Sequence, residues 1–511
     1  MKTSTRWIGM GIFLAMLLLM LILASQGRAV PYFSRKYRTS CVTCHEAFPK
    51  RNAVGEGFRM RGFRFVDDDS YRKEEPVEMG DAAYKRLWPN AVWPSTIPAQ
   101  IPLSLIGRFL GEVDLDGSRD ESVTFLLPEE MELVAADAMG DMLSFYGDVI
   151  YISKDFGGSD TESWITAKAW LQFQSLLGPE NLLNLRVGTV GTQGMALYTA
   201  RDANNFTTHF YQYTTWGMPK VKLDPSGLND FKGNPFTLQP LAGIELNGVG
   251  KRWMYSGGWV STQVKNPVNE FPDSDFYVVG IGEKSPQDFF LQCAYKIGGL
   301  PMDGSVAKGE NMLAADPQFW RDDHLMFSLF GYRGTADIEI EDAAGETSTS
   351  DDDFWRLGAG VQAKYKDLTV GAGYMWGRND NPYGELSSKS VDSGAWLAEA
   401  YYFVYPWLIP YVRYEGLDLD LPSDVAGLDD DQDRGRIIVG GKAMIRANIA
   451  LNVEGTFYTN GSKIEEGIDN TLFGGSSGLG SCSGQSRSQT DESRTECAQG
   501  HCDGDQHQRY L

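Results

Sequence analysis

FWRLGAGVQAKYKDLTVGAGYMW, residues 354–376, reads with a period of two. Trp355, Leu357, Ala359, Val361, Ala363 and Tyr365 alternate with Arg356, Gly358, Gly360, Gln362 and Lys364. Lys366-Asp367 makes a tight turn, and Leu368, Val370, Ala372, Tyr374 and Trp376 resume the apolar side. Successive side chains of a strand point to opposite faces, so the stretch is a hairpin with one apolar and one polar face. IALNVEGTFY, residues 449–458, repeats the pattern. Similar runs occur near 102–114, 129–139, 142–153, 163–176, 182–191, 241–250, 253–263, 276–284, 288–297, 324–334, 394–404, 407–417 and 436–445. Together they predict roughly 14 to 18 strands.

Run length decides which solvent the apolar face meets. Strands of soluble sandwiches are usually about 5–6 residues long, whereas these runs are about 10–12, the length that crosses a bilayer at a tilt. Many apolar faces end in Trp or Tyr, as aromatic girdles do at the two membrane interfaces. Tight connections such as Gly140-Asp141 and 178–181 alternate with long acidic ones such as 341–353 and 418–433. A closed barrel also removes the edges that so many strands would expose. The expected fold is mainly β: a transmembrane outer-membrane β-barrel of about 16 antiparallel strands over residues 99–473. Composition agrees, with 57 Gly and 12% aromatics. A net charge of −22 excludes a nucleic-acid partner as a first reading. A mean hydropathy of −0.30 excludes a helical polytopic membrane protein. Outer-membrane lipid is the expected surrounding.

The N-terminus reads as an export signal. Lys2 and Arg6 precede the apolar run Ile8–Ala24, and Gly27 and Ala29 stand at the spacing of a cleavage site. Residues 1–29 are thus a signal peptide, and the mature chain begins near Val30.

The segment that follows carries the chemistry. Within VPYFSRKYRTSCVTCHEAFPKRNAVGEGFRMRGFRF, residues 30–65, stands Cys41-Val42-Thr43-Cys44-His45. C-x-x-C-H is the spacing of covalent c-type haem attachment. Two thiols three positions apart can add to the two vinyl groups of one haem edge, and the adjacent imidazole then ligates the iron. A structural zinc site would need a partner C-x-x-C, and a redox dithiol a βαβ pattern, and neither is present. Residues 30–75 are therefore expected to be a small monohaem module joined to the barrel by a connector, 76–98. Cys41 and Cys44 hold one haem c and His45 is its proximal iron ligand. The sixth ligand stays open among Met60, Met79, His209, His324 and a water or vacant position, with Met60 and His209 as first candidates.

This segment carries eight basic residues (Arg35, Lys36, Arg38, Lys50, Arg51, Arg59, Arg61, Arg64) against Glu46 and Glu56. A basic module tethered to an acidic barrel is expected to dock on it, and its arginines to pair with haem propionates. Because the module precedes the first strand, it starts on the periplasmic side and can fold into the lumen as a plug. The polar strand faces supply Arg356, Lys364, Arg413, Glu415, Lys442, Asn452 and Glu454 as expected lumen residues. The acidic runs Asp351–Asp353 and Asp429–Asp431 with Asp433 are expected on outer loops, where they would concentrate cations.

Together these features resemble the fused outer-membrane monohaem cytochrome–porin family. The resemblance is carried by Tyr32-Phe33, Cys41, Cys44 and His45, Phe48-Pro49, and Gly55, Phe58, Arg59, Gly62 and Phe63. In the barrel it is limited to strand pattern and to phrases such as LPEEMELVAADAMGDMLSFYGDV and LLNLRVGTVG. The best-known members oxidise extracellular Fe(II) in iron-oxidising bacteria, and similar sequences occur in metal reducers. The resemblance implies electron transfer across the outer membrane, from extracellular Fe(II) to a periplasmic c-type cytochrome or other electron carrier. Outward flow to an external acceptor, and a diffusion porin with a haem plug, stand beside it. One departure concerns residues 474–511, rich in Ser, Gly and Gln and holding Cys482, Cys497 and Cys502. Where such barrels close with an aromatic-ended strand, this tail reads as disordered or as an altered reading frame replacing a strand that begins near Asn470.

Overall fold

The computed structural model describes residues 32–47, 50–67, 96–113, 123–153, 163–177, 181–190, 241–261, 287–305, 320–341, 347–384, 387–420, 434–446 and 449–459, with a few isolated residues between them. The signal peptide, the C-terminal tail, Met79, His209 and the acidic run at 429–433 lie outside the described residues.

The chain opens with a compact module. Helix α1 (Tyr32–Tyr37) leads to a 3-10 turn at Cys41–Thr43. Strands β1 (His45–Ala47) and β2 (Lys50–Arg51) pair antiparallel, and helix α2 (Ala53–Met60) follows. In the connector, β3 (Val77–Glu78) pairs with β4 (Thr96–Ile97).

The large sheet then begins. Its first strands are β5 (Leu103–Val113), β6 (Val123–Met139), β7 (Leu143–Ser153), β8 (Ser163–Phe173) and β9 (Asn184–Val190). After the two-residue β10 (Phe231–Lys232) come β11 (Leu241–Val249) and β12 (Trp253–Ser261). The three-residue β13 (Phe276–Val278) precedes β14 (Asp288–Gly298), β15 (His324–Glu341), β16 (Thr347–Tyr365) and β17 (Leu368–Asn379). The last are β18 (Val391–Tyr402), β19 (Leu408–Asp420), β20 (Arg434–Arg446) and β21 (Ile449–Tyr458). Among the described residues, fifteen of these form one unbroken antiparallel run, from β5 through β9, then β11, β12 and β14, to β21.

The sheet is inverted relative to a soluble protein. Along β14, Asp288 and Lys296 are 1% and 3% exposed, while Phe289 and Leu291 are 58% and 61% exposed. On β16 the exposed side is Trp355, Leu357 and Tyr365, and Arg356 and Lys364 are buried. Arg413, Glu415, Lys442 and Glu454 are buried as well, so the polar faces named from the sequence point inward together. Several inner groups bond one another. Arg356 donates to Asn379 Oδ1 at 2.7 Å, and Asn379 donates to Asp352 Oδ2 at 2.5 Å. Arg186 Nη1 meets Glu245 Oε1 at 2.9 Å. Burying one Leu or Phe is worth about 1.5–3 kcal/mol. An outer surface of exposed Leu, Phe, Val and Trp on strand after strand is stable only in an apolar solvent.

One expectation is corrected. Asp351–Asp353 do not sit on an outer loop: the pairing of β15 with β16 extends to Glu341↔Thr347, which places all three on a strand. The Thr-Ser-Thr-Ser sequence ahead of them suits a ladder, and Asp352 faces inward, where Asn379 and Asn381 bond it. The run at 276–284 is described only at Phe276–Val278, which pairs parallel to β8 rather than joining the antiparallel run.

Connections 140–142, 250–252, 366–367 and 403–407 all lie at one end of the sheet, as the registers show. This short-turn end is where the module sits.

Candidate functional site

Cys41 and Cys44 occupy one 3-10 turn, with Cys44 N–H donating to the Cys41 carbonyl at 3.2 Å. Both cysteines are unbridged, and both residues are partly exposed. His45 follows at once, as the first residue of β1. The turn is held from behind by Asn52, the N-cap of α2. Its Oδ1 accepts from Gly55 N at 2.9 Å, and its Nδ2 donates to the carbonyls of Val42 and Thr43 at 3.2 and 3.1 Å. One side chain thus starts the helix and ties it to the Cys-x-x-Cys turn. At Gly55 a Cβ would stand 2.1 Å from the Cys44 carbonyl oxygen, so only glycine lets α2 approach the turn this closely. Gly62 ends the segment at φ +64°, the left-handed conformation that follows a helix.

The turn rests on an aromatic bed. Tyr37, Phe58, Phe63 and Phe65 are buried in one cluster, with Phe33 and Cys44 packed against it. Phe33 stacks on Phe63 at 5.3 Å between centroids, and Phe63 stacks on Trp170 of β8 at 5.6 Å. The bed is therefore shared between module and sheet. Burial and the neighbouring Cys41 push the Cys44 thiol up to about 12, against the opposing pull of Arg51.

Polar contacts fasten the module to the inner face at the short-turn end. Lys36 Nζ meets Asp137 of β6 at 2.6 Å, and Tyr32 donates its hydroxyl to the same carboxylate. Arg64 meets the exposed Asp141 at 2.8 Å. The last carbonyl of α2, which a helix leaves without an internal partner, is met by amides of the sheet. Gln172 and Asn184 donate to the Met60 carbonyl at 3.0 and 3.3 Å. On the other flank Glu46 accepts from Lys364 Nζ at 2.6 Å and from the Tyr401 hydroxyl at 3.1 Å. Burial alone would raise the Glu46 carboxyl, but Lys364, Lys50 and these hydrogen bonds outweigh it and hold the group below the usual carboxylate range. Docking is thus not simply basic module on acidic wall. Its deepest ion pair has the opposite polarity.

The expected ligands can now be placed. Cys41, Cys44 and His45 are brought together on one turn. Met60 is buried in a different cluster, with Val249, Ala294 and Met302, and its sulfur receives Arg59 Nη2 at 3.3 Å. His324 is buried at the start of β15, with its Nδ1 2.5 Å from the Asp322 carbonyl. It pairs across strands with Lys364, the lysine that holds Glu46. Among the described candidates it stands next to this contact. Sequence reasoning did not find Asn52, Glu46 or Asp137; of these, only Asn52, set before a helical stretch, carried a visible signal.

These residues fit a covalently held haem. They offer two unbridged thiols and an imidazole on one accessible turn, beside an aromatic bed. Arg35 Nε, buried with no hydrogen-bond partner, is a donor left over for a carboxylate. Cys41 and Cys44 would hold the group and His45 its iron.

No family model and no curated protein matches the chain. Similar solved structures are outer-membrane proteins. OmpT of Vibrio cholerae is 12% identical, with 74% of this chain and 97% of that chain covered and a TM-score of 0.39. OmpF of Salmonella typhi, in complex with daunomycin, is 12% identical over 73% of this chain and 95% of its own, with a TM-score of 0.43. The anion-selective porin from Comamonas acidovorans gives 12%, 73%, 94% and 0.41 in the same terms.

Proposed function

We propose that the sheet closes into an outer-membrane barrel, that residues 30–75 are a monohaem cytochrome plug in its periplasmic mouth, and that the protein moves electrons across the outer membrane. The observation that carries this reading is the docking of the Cys41-x-x-Cys44-His45 turn on the buried polar face of an inside-out sheet, at its short-turn end. Short turns face the periplasm in such barrels, so a periplasmic c-type cytochrome or other carrier reaches the plug from below. The haem supplies a one-electron couple, and the protein sets its potential through the axial ligands, burial and nearby charge. Extracellular Fe²⁺ gives up one electron, becoming Fe³⁺, and the periplasmic carrier takes that electron onward. The resemblance in the N-terminal segment supports Fe(II) as the donor.

Two measurements test the reading. Pyridine haemochrome should show one haem per chain that survives acid–acetone extraction and is lost when Cys41→Ala and Cys44→Ala are combined. Fe²⁺ added to the air-oxidised protein should then develop the reduced α-band. A haem that Fe²⁺ leaves oxidised, and that a periplasmic reductant reduces readily, means outward electron flow. A haem-free chain that conducts ions freely in liposomes means a diffusion porin.

A further inference from the structure

We propose that Glu46 is a positioning residue that ties the strand bearing His45 to the sheet wall through Lys364 and Tyr401. What it positions rests on the haem reading above; the tie itself does not.

Glu46 directly follows His45, and both its carboxylate oxygens are engaged by the wall. Oε1 takes Lys364 Nζ of β16 at 2.6 Å, and Oε2 takes the Tyr401 hydroxyl of β18 at 3.1 Å. The ion pair is nearly dry, with side-chain exposures of 8% for Glu46 and 1% for Lys364. Neither charge has bulk water to fall back on, so each depends on the other. Two more residues of the β1–β2 hairpin converge on the same spot. Lys50 Nζ lies 4.5 Å above the Tyr401 ring, and Ala47 is buried with Trp320, Tyr401 and Phe403. Glu46, Ala47 and Lys50 of the hairpin are seated in the wall, while Arg51 pairs back with Glu56 of α2 at 2.5 Å. Cys44, one residue before His45, belongs instead to the module's aromatic cluster. His45 is therefore the residue at which the chain crosses from the module's core to the wall, and Glu46 is the wall-side anchor.

A second anchor provides the control. Lys36 and Asp137 also fasten the module, at 2.6 Å, but on β6 and through a residue that precedes the Cys41 turn in the chain. Both anchors hold the module in place. The Glu46 anchor also governs the direction of His45.

The test uses the full chain in detergent, with barrel folding checked by heat-modifiable gel migration. Release of the module once trypsin has cut the connector after the exposed Arg86 reads docking, and electron paramagnetic resonance of the oxidised haem reads axial ligation. Glu46→Gln and Lys364→Met should each speed release at least fivefold and alter the ligation signal. Tyr401→Phe, which removes one hydrogen bond, should give an intermediate release rate. Exchanging the charges, Glu46→Lys with Lys364→Glu, should recover slow release. Lys36→Gln should speed release while leaving the ligation signal as in the parent. The proposal is overturned if Glu46→Gln releases the module no faster than the parent, or if its ligation signal changes no more than that of Lys36→Gln. Release is repeated on the haem-free chain carrying Cys41→Ser and Cys44→Ser. A parent with no haem by haemochrome defeats the proposed function, while the release rates of the haem-free chain still decide whether the tie exists.

Discussion

Asn52 does at one position what three separate residues often do. Its acceptor starts α2 and its two donor bonds hold the Val42 and Thr43 carbonyls of the Cys-x-x-Cys turn. Removing an N-cap costs about 1 kcal/mol. Asn52→Ala should therefore lower the urea midpoint for module release and reduce haem attachment, whereas Asn52→Asp, which keeps the cap acceptor, should retain the helix and lose only the grip on the turn. Circular dichroism with haem staining separates the two. Gly55→Ala should be harsher, because the added Cβ meets a backbone oxygen that cannot move without moving Cys44. Haem stain should fall to background while the heat-modifiable gel shift of the barrel persists.

Elements of this protein are stabilised in two different ways. The strands depend on their outer faces. Arg placed at mid-depth on a lipid-facing strand position costs about 2–4 kcal/mol. Leu291→Arg should lower the urea midpoint of the lipid-reconstituted protein accordingly, and Leu291→Val should leave it nearly unchanged. Helix α2 depends on charge. Burial would raise the Glu56 carboxyl, but Arg51 and Arg59 more than offset this and hold it well below the ordinary range. A carboxyl depressed in the folded state adds stability above its unfolded pKa, about 4.3, and loses it as pH falls further. The module should resist trypsin-like or pepsin-like release fully above about pH 5 and progressively less below pH 4. Glu56→Gln should be less stable at neutral pH and fall less steeply across this window, the remaining slope coming from Glu46, whose carboxyl is also held low, as release measured against pH will show.

At the scale of the whole molecule, the proposed closure of the sheet would make the module at its short-turn end a plug, and on that proposal an intact protein should pass few ions. Planar-bilayer conductance should rise on deleting residues 32–67, and an equal conductance before and after would show that the module does not block the pore. The net charge of −22 draws cations toward the protein by long-range attraction that salt screens beyond about 8–10 Å. Reduction of the haem by Fe²⁺ should be slower at high ionic strength than at low. A rate indifferent to salt would separate encounter from the charge of the surface.

Period-two alternation is a local property, so the sequence by itself determined nearly every long strand, the apolar outer face and the inward set from Arg356 to Glu454. The spacing of Cys41, Cys44 and His45 is equally local, and it marked this turn as the candidate haem site before any fold was known. What holds that turn was decided only in three dimensions. Glu46 stood as one of two acids among eight bases, and nothing in its neighbourhood announced Lys364 or Tyr401, more than three hundred residues away. Asp351–Asp353 read as a loop because charge is usually solvated, until cross-strand partners turned Asp352 inward. Pairing across large sequence separations depends on which faces the sheet brings together, and no window of sequence contains that information.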